Sequence, residues 1–225
     1  MGLLQTVNVG RPAPNPYKTS LSTGIAKVPT AGAIEVRDPG PKNAGLGSGL
    51  AGDFIGDGEH HGGSEQAVYA FAREDLDDWE RRLLRDLPNG SFGENLTTLG
   101  IDVNESLVGE RWRLGDDVVL QVTAPRIPCA TFRGWVGETG WLKLFTDVAR
   151  PGAYLRVLVA GTVRSGDVIE VIRRPPHEVT VSIAFRALTT AGELLPALLA
   201  AGDDLPDGIR DLVMERTTSR GVKPS

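Results

Sequence analysis

The chain has 225 residues, enough for one larger domain with an appendage and for a sizeable core. Its 24 Lys and Arg against 29 Asp and Glu leave a formal charge of −5, which argues against a general electrostatic grip on nucleic acid or an anionic membrane, though a local basic pocket remains open to it. With 28 glycines, 15 prolines and one cysteine, the composition suits short strands joined by turns and excludes an internal disulfide, a Cys-ligated zinc site and a built-in iron–sulfur cluster.

Met1-Gly2-Leu3-Leu4-Gln5-Thr6 formally fits an N-myristoylation pattern. The segment reads better as a first strand over Gln5 to Val9, ended by the proline-rich Arg11 to Pro16. No charged leader precedes an apolar run, and no apolar stretch nears the roughly 18 residues of a membrane span, so a soluble cytoplasmic protein with idle glycosylation triplets at Asn89, Asn95 and Asn104 is expected. A second short strand is expected at Ala33 to Val36, before a loop running through Gly49. Gln66 to Phe71 reads as another strand and leads into a helix over Glu74 to Leu87, where Leu76, Trp79, Leu83 and Leu87 lie near helical spacing. Asp77 and Asp78 stand four residues before Arg81 and Arg82, which supports an exposed face on that helix.

Past Glu105 the pattern alternates, with Val118, Leu120 and Val122 on one face after the turn at Gly115-Asp116. Gly161 to Asp167 repeats this design before Val168 to Ile172, so a second hairpin of a barrel is expected there. Arg173-Arg174-Pro175-Pro176 marks a boundary between residues 1–176 and a helical extension over 177–225. In the extension, Thr190-Ala191-Gly192-Glu193 matches a capping box before Leu194 to Ala201. Leu205-Pro206 then opens a helix carrying Ile209, Leu212 and Val213.

Three motifs carry chemistry. In Pro125-Arg126-Ile127-Pro128-Cys129 two prolines end a strand and hold the cysteine in a set direction, while Arg126 favours its thiolate; a lone cysteine is otherwise a small buried hydrophobe. His60-His61-Gly62-Gly63 is a poor zinc ligand set, because neighbouring side chains point apart, but its glycines suit close approach to an anion as well as an ordinary turn. In Phe92 to Thr97, Glu94 could act as a general acid or base and Asn95 as a clamp, or both could cap their own loop.

Together these motifs resemble the MOSC domain family, named for the C-terminal domain of molybdenum cofactor sulfurase, and within it the stand-alone YiiM-like branch. The resemblance also uses Ile25-Ala26-Lys27-Val28-Pro29, Gly49-Leu50-Ala51-Gly52-Asp53, Ala67-Val68-Tyr69 and Arg150 to Leu158, and so spans most of the chain to about Arg174. It departs most between Phe132 and Val148, where Trp135 and Trp141 sit among extra glycines.

The resemblance implies a mainly β fold, a MOSC-type β-barrel with flanking helices and a small C-terminal helical extension of the three-helix type. It implies molybdenum cofactor (molybdopterin), with Cys129 as thiolate ligand to the metal and His61 and Glu94 beside it as catalytic groups. Lys27, His60, His61, Gly62, Asn95 and Arg126 would line the pocket and contact the cofactor phosphate or an oxo group. The activity implied is reduction of N-hydroxylated compounds, hydroxylaminopurine-type bases among them, by an oxidoreductase supplied by an external electron-transfer protein. Homodimerisation is compatible with this reading. The alternative is a sulfur carrier or cofactor-delivery module using a Cys129 persulfide. Pyridoxal phosphate, which serves the desulfurase fused to sulfurase-type members, is not expected here.

Overall fold

Apolar strand segments pair into one sheet that closes on itself. The computed structural model describes residues 1–18 and 22–219. Strand β1 (Gly2–Gly10) is followed by the small pair β2 (Ala13–Pro14) and β3 (Ser22–Thr23), then β4 (Lys27–Pro29), β5 (Ile34–Val36), β6 (Val68–Ala72), helix α1 (Arg73–Leu83) and β7 (Leu96–Leu99). The hairpin β8 (Arg111–Leu114) and β9 (Val118–Pro125) precedes helices α2 (Ala130–Val136) and α3 (Trp141–Val148) and strands β10 (Ala153–Val159), β11 (Gly161–Val163) and β12 (Val168–Arg173). Helix α4 (Val181–Thr189), a 3-10 segment over Gly192–Asp204 and helix α5 (Asp207–Ser219) complete the described chain.

The strand order β12-β8-β9-β10-β6-β7-β1 returns to β12 through Gly2 opposite Ile169, giving a closed seven-stranded barrel. Only β6 and β7 run parallel in it, and α1 lies on the crossover that a parallel pair requires. Inside, Leu4, Val7, Trp112, Leu120, Val122 and Leu155 are buried. Each such aliphatic side chain contributes about 1.5–3 kcal/mol. A second core stands beside the barrel, where Trp79 of α1, Phe92, Phe132 of α2, and Trp141 and Phe145 of α3 meet largely edge to face. The stretch that departs from the family pattern therefore builds a covering layer. A third core gathers Val108 with Ala184, Leu198, Leu205 and Val213, and Arg173 clamps the C-terminal segment through Asp204 at 2.9 Å.

Several expectations need correction. The helix expected to Leu87 ends at Leu83, because Leu84 turns left-handed at φ 51°, although Leu87 still reaches the aromatic core. Asp77 pairs with Arg73 one turn before it, and Arg81 reaches Asp78 instead. The strand expected from Gln66 starts at Val68, after a 3-10 turn over Ser64–Gln66. The repeat at Gly161 to Asp167 makes its turn but no hairpin: β11 pairs with β5, and β12 with β8 and β1. Reciprocal 2.8 Å bonds, from Leu4 N to Asp167 O and from Gly166 N to Leu4 O, fasten that turn to β1. The capping box also fails, since Thr190 ends α4 and Ala191 provides no side-chain cap to the segment that follows. Thr180 is the working N-cap, its Oγ1 accepting from Ile183 N at 3.1 Å. Among the described residues no helix is long and apolar enough to cross a membrane.

Candidate functional site

At one end of the barrel, β4, β6, β10 and the segment leaving β9 surround a cavity of about 670 Å³, mouth included. Much of that volume is open space at the mouth, and about 90 Å³ is available to the centre of a water-sized sphere. Pro125 is the last residue of β9 and pairs with Ala153, so the next residues must leave the sheet, placing Arg126 in the wall and Cys129 at the first residue of the turn into α2. The His-His-Gly-Gly segment closes another side. Gly62 has φ +75°, and a Cβ there would lie 2.4 Å from the Gly47 carbonyl oxygen, so this position requires glycine for backbone packing.

Cys129 is half-buried and faces the cavity beside His61. Burial by itself pushes the thiol up, but a hydrogen bond with His61, the Arg126 charge and the Phe132 backbone N–H outweigh it and bring the pKa down to about 6. Arg126 is 6% exposed, donates from Nη1 to the Phe92 carbonyl oxygen at 2.7 Å, and has its guanidinium 4.1 Å from the Phe132 ring centre and 5.0 Å from that of Tyr69. Its Nε–H is buried without a partner among the described residues. This is a fixed cation behind a thiol.

The floor of the cavity is a closed polar network centred on Asp53. Its carboxylate accepts from Lys27 Nζ, from Gly10 N at 2.7 Å, from Ser48 Oγ at 2.6 Å and from Asn95 Nδ2 at 2.9 Å. Asn95 also accepts from Tyr69 N at 3.1 Å through Oδ1 and donates to the Asn8 carbonyl oxygen at 3.3 Å. Burial lowers the Lys27 pKa, and Asp53 opposes that shift.

A model of the MOSC domain family matches residues 57–170. YflK of Bacillus subtilis is 31% identical over 186 residues, covering 80% of this chain and 78% of that protein. The chain belongs to the MOSC domain family. A protein named reductase from Gibberella moniliformis is 34% identical over 164 residues, which are 71% of this MOSC chain but 29% of the fungal protein. The crystal structure of YiiM from Geobacillus stearothermophilus shares the fold, with a TM-score of 0.76 at 22% identity over 96% of this chain and 99% of that one.

In this MOSC protein, Lys27, His61, Gly62, Asn95, Arg126 and Cys129 all line the cavity, as the motifs led us to expect. Two expected site residues do not. The His60 side chain is 58% exposed and bonds Asp57 at 3.0 Å. Glu94 is fully buried in its own loop, its carboxyl accepting from Gly90 N, Phe92 N and Thr97 Oγ1. It is therefore a loop brace, out of reach of the cavity. Lys27 and Asn95 line the cavity while each donates to Asp53, so the Lys27 charge there is paired with a buried carboxylate.

Sequence reasoning did not single out Gln66, Phe54, Asp57 or Tyr154 as lining residues, although all four face the cavity. Asp57, held ionised near pKa 2 against its burial by hydrogen bonds from Lys18 and His60, had one signal, its place just before the His-His pair. Gln66 and Tyr154 lie in strand-like segments, where alternation does not tell which end opens on a pocket.

The donor set fits a cofactor-borne metal. Among the described residues no three His, Cys, Asp or Glu side chains converge as a cage for a bare ion. Cys129 offers one soft ligand, so a metal held there must bring its remaining ligands with it, as one bound by a pterin dithiolene does.

Proposed function

We propose that this MOSC protein binds molybdenum cofactor through Cys129 and reduces N-hydroxylated compounds, hydroxylaminopurine-type bases among them. The observation that carries the reading is the thiol with its pKa lowered to about 6, in the cavity wall beside the buried Arg126 charge. When bound, the cofactor supplies a two-electron centre able to take up an oxygen atom. The chain's residues do the rest. Cys129 binds as thiolate, and Arg126, held by Phe92, Phe132 and Tyr69, keeps it so. The His61 imidazole hydrogen-bonds the Cys129 sulfur, and the aromatic layer around Phe132 excludes water from behind.

The balance is R–NHOH + 2 e⁻ + 2 H⁺ → R–NH₂ + H₂O. A single cysteine builds no iron–sulfur relay, so the electrons come from an external electron-transfer protein. The same reading sets the reaction in the cytoplasm, with neither nucleic acid nor membrane as a partner. The test is expression in a host that makes molybdenum cofactor, with molybdenum and pterin measured in the wild type and in Cys129→Ala. We expect near-stoichiometric molybdenum in the wild type, lost in the variant, and reduction of hydroxylaminopurine by the loaded protein with a chemical donor. Wild-type occupancy in Cys129→Ala sinks the ligand assignment, and bound cofactor without reduction of any N-hydroxylated compound points to the sulfur-carrier or delivery role.

A further inference from the structure

Tyr154 lines the cavity from β10 with a hydroxyl that bonds to nothing among the described residues. It is not a sealed group like Arg126 Nε, since the buried and unpartnered side-chain atoms do not include its oxygen. The tyrosine beside it is already committed. Tyr69 stands opposite Tyr154 across β6 and β10, with ring centres 5.3 Å apart, and donates its hydroxyl to the Pro151 carbonyl oxygen at 2.7 Å. Tyr154 is also held in place. On its other side it stands opposite Ala124, and just there β9 carries an extra residue, Thr123, whose Oγ1 reaches the Tyr154 carbonyl oxygen at 3.0 Å. A bulge of this kind re-aims side chains and recurs next to active sites, and a ring fixed on a strand loses little freedom on binding.

Four side-chain donors act electrostatically on Cys129: His61, Arg126, Lys18 and Tyr154. His61 hydrogen-bonds the sulfur itself. Arg126 is buried on the Phe92 carbonyl oxygen, and Lys18 donates to Asp57 at 2.8 Å. Of these, the Tyr154 hydroxyl alone is left to turn to a ligand. A phenol keeps its proton at neutral pH, and burial pushes the pKa of this one further up, so it stays a donor. A neutral donor placed where negative charge gathers is what an oxygen leaving nitrogen requires. We propose that Tyr154 is a further catalytic residue of this site, its hydroxyl donating a hydrogen bond to the oxygen of a bound N-hydroxyl group. This deepens the proposed function and rests on it for the identity of the reacting group.

The test is Tyr154→Phe, which keeps the ring and removes only the unbonded hydroxyl, so its melting temperature and cofactor content should stay at wild-type values. Calorimetry on the oxidised, cofactor-loaded protein, where no electrons are supplied and nothing turns over, measures binding of benzohydroxamic acid and of benzamide, which lacks the N-hydroxyl oxygen. Tyr154→Phe should bind the hydroxamic acid at least tenfold more weakly than the wild type does and benzamide equally well. With a chemical donor, its kcat for an N-hydroxylated substrate should fall at least tenfold. Unchanged hydroxamic acid binding in Tyr154→Phe, or an equal loss for both ligands, overturns the proposal. A lowered melting temperature or a loss of pterin also overturns it, because the hydroxyl would then be serving the fold or the cofactor. A selective loss without reduction of any N-hydroxylated compound by the wild type leaves Tyr154 as the oxygen-binding group and sinks the reductase reading. Reduction that is untouched in Tyr154→Phe does the reverse. A protein that takes up no cofactor sinks the reading as well, and the same two ligands measured on it as isolated still decide the role of Tyr154.

Discussion

Lys27 and Asp53 form an ion pair with both side chains withdrawn from water, 5% and 0% exposed. Because Gly10 N, Ser48 and Asn95 also donate to Asp53, the pair ties β1, β4, the loop at Gly52 and the loop before β7 into one floor. A lysine that the resemblance places in a cofactor pocket lines the cavity here with its charge paired to that floor.

Removing one partner leaves the other charge buried, so Lys27→Met should destabilise the fold by about 3 kcal/mol, and Asp53→Asn by a similar amount. Lys27→Met/Asp53→Asn should cost clearly less than the sum, with a coupling of about 0.5–3 kcal/mol in urea unfolding. Additive losses within about 0.5 kcal/mol would mean the two groups act independently, as a phosphate-binding lysine would.

Glu94 gives a sharper contrast. Burial pushes its carboxyl up, and the hydrogen bonds of its loop act against that shift. Glu94→Ala strands three donors and should cost about 3 kcal/mol or more. Glu94→Gln keeps an acceptor and should cost less. A general acid would show the opposite pattern: normal melting for Glu94→Gln with activity abolished.

The barrel was legible from the alternation of Val118, Leu120 and Val122 and from the glycine and proline breaks, since period-two burial is a local signal. The partnering of β11 and β12 was not, because the turn at Gly166-Asp167 looks like a hairpin until β1 takes its backbone groups. In the site, Cys129, His61 and Arg126 lie together on the cavity, and it was the joint resemblance of their motifs, more than the local chemistry of any one, that marked them. Glu94 misled for the same reason: a carboxyl in a glycine loop has the same local pattern whether it faces a cavity or its own amides. Gln66 carries no mark in sequence, and only its place in the cavity lining reveals it.

The two threonines of the C-terminal extension separate local pattern from actual capping. Thr180 accepts from Ile183 N at the start of α4, so Thr180→Ala should cost about 1 kcal/mol. Thr190 stands at the other end of the helix with no cap to lose, so Thr190→Ala should fall within about 0.5 kcal/mol of wild type. Chemical denaturation of the two variants side by side decides between them. Equal losses would restore the capping box at Thr190.

Cys129 links the fold to pH. In protein freed of cofactor, the rate of alkylation by iodoacetamide should rise through a midpoint near pH 6 and level off above it, because the thiolate is the reacting form. His61→Gln removes a hydrogen bond and charge that favour the thiolate, so the midpoint should move up toward the value of about 8.5 for a free thiol. The sign for stability follows from the same shift. A folded pKa below the unfolded one makes this contribution full above about pH 8.5 and removes it as pH falls through about 6. Cys129→Ala should therefore flatten the rise in unfolding free energy between those limits, and an unchanged slope in the variant would show that the thiol titrates alike in the folded and unfolded chains.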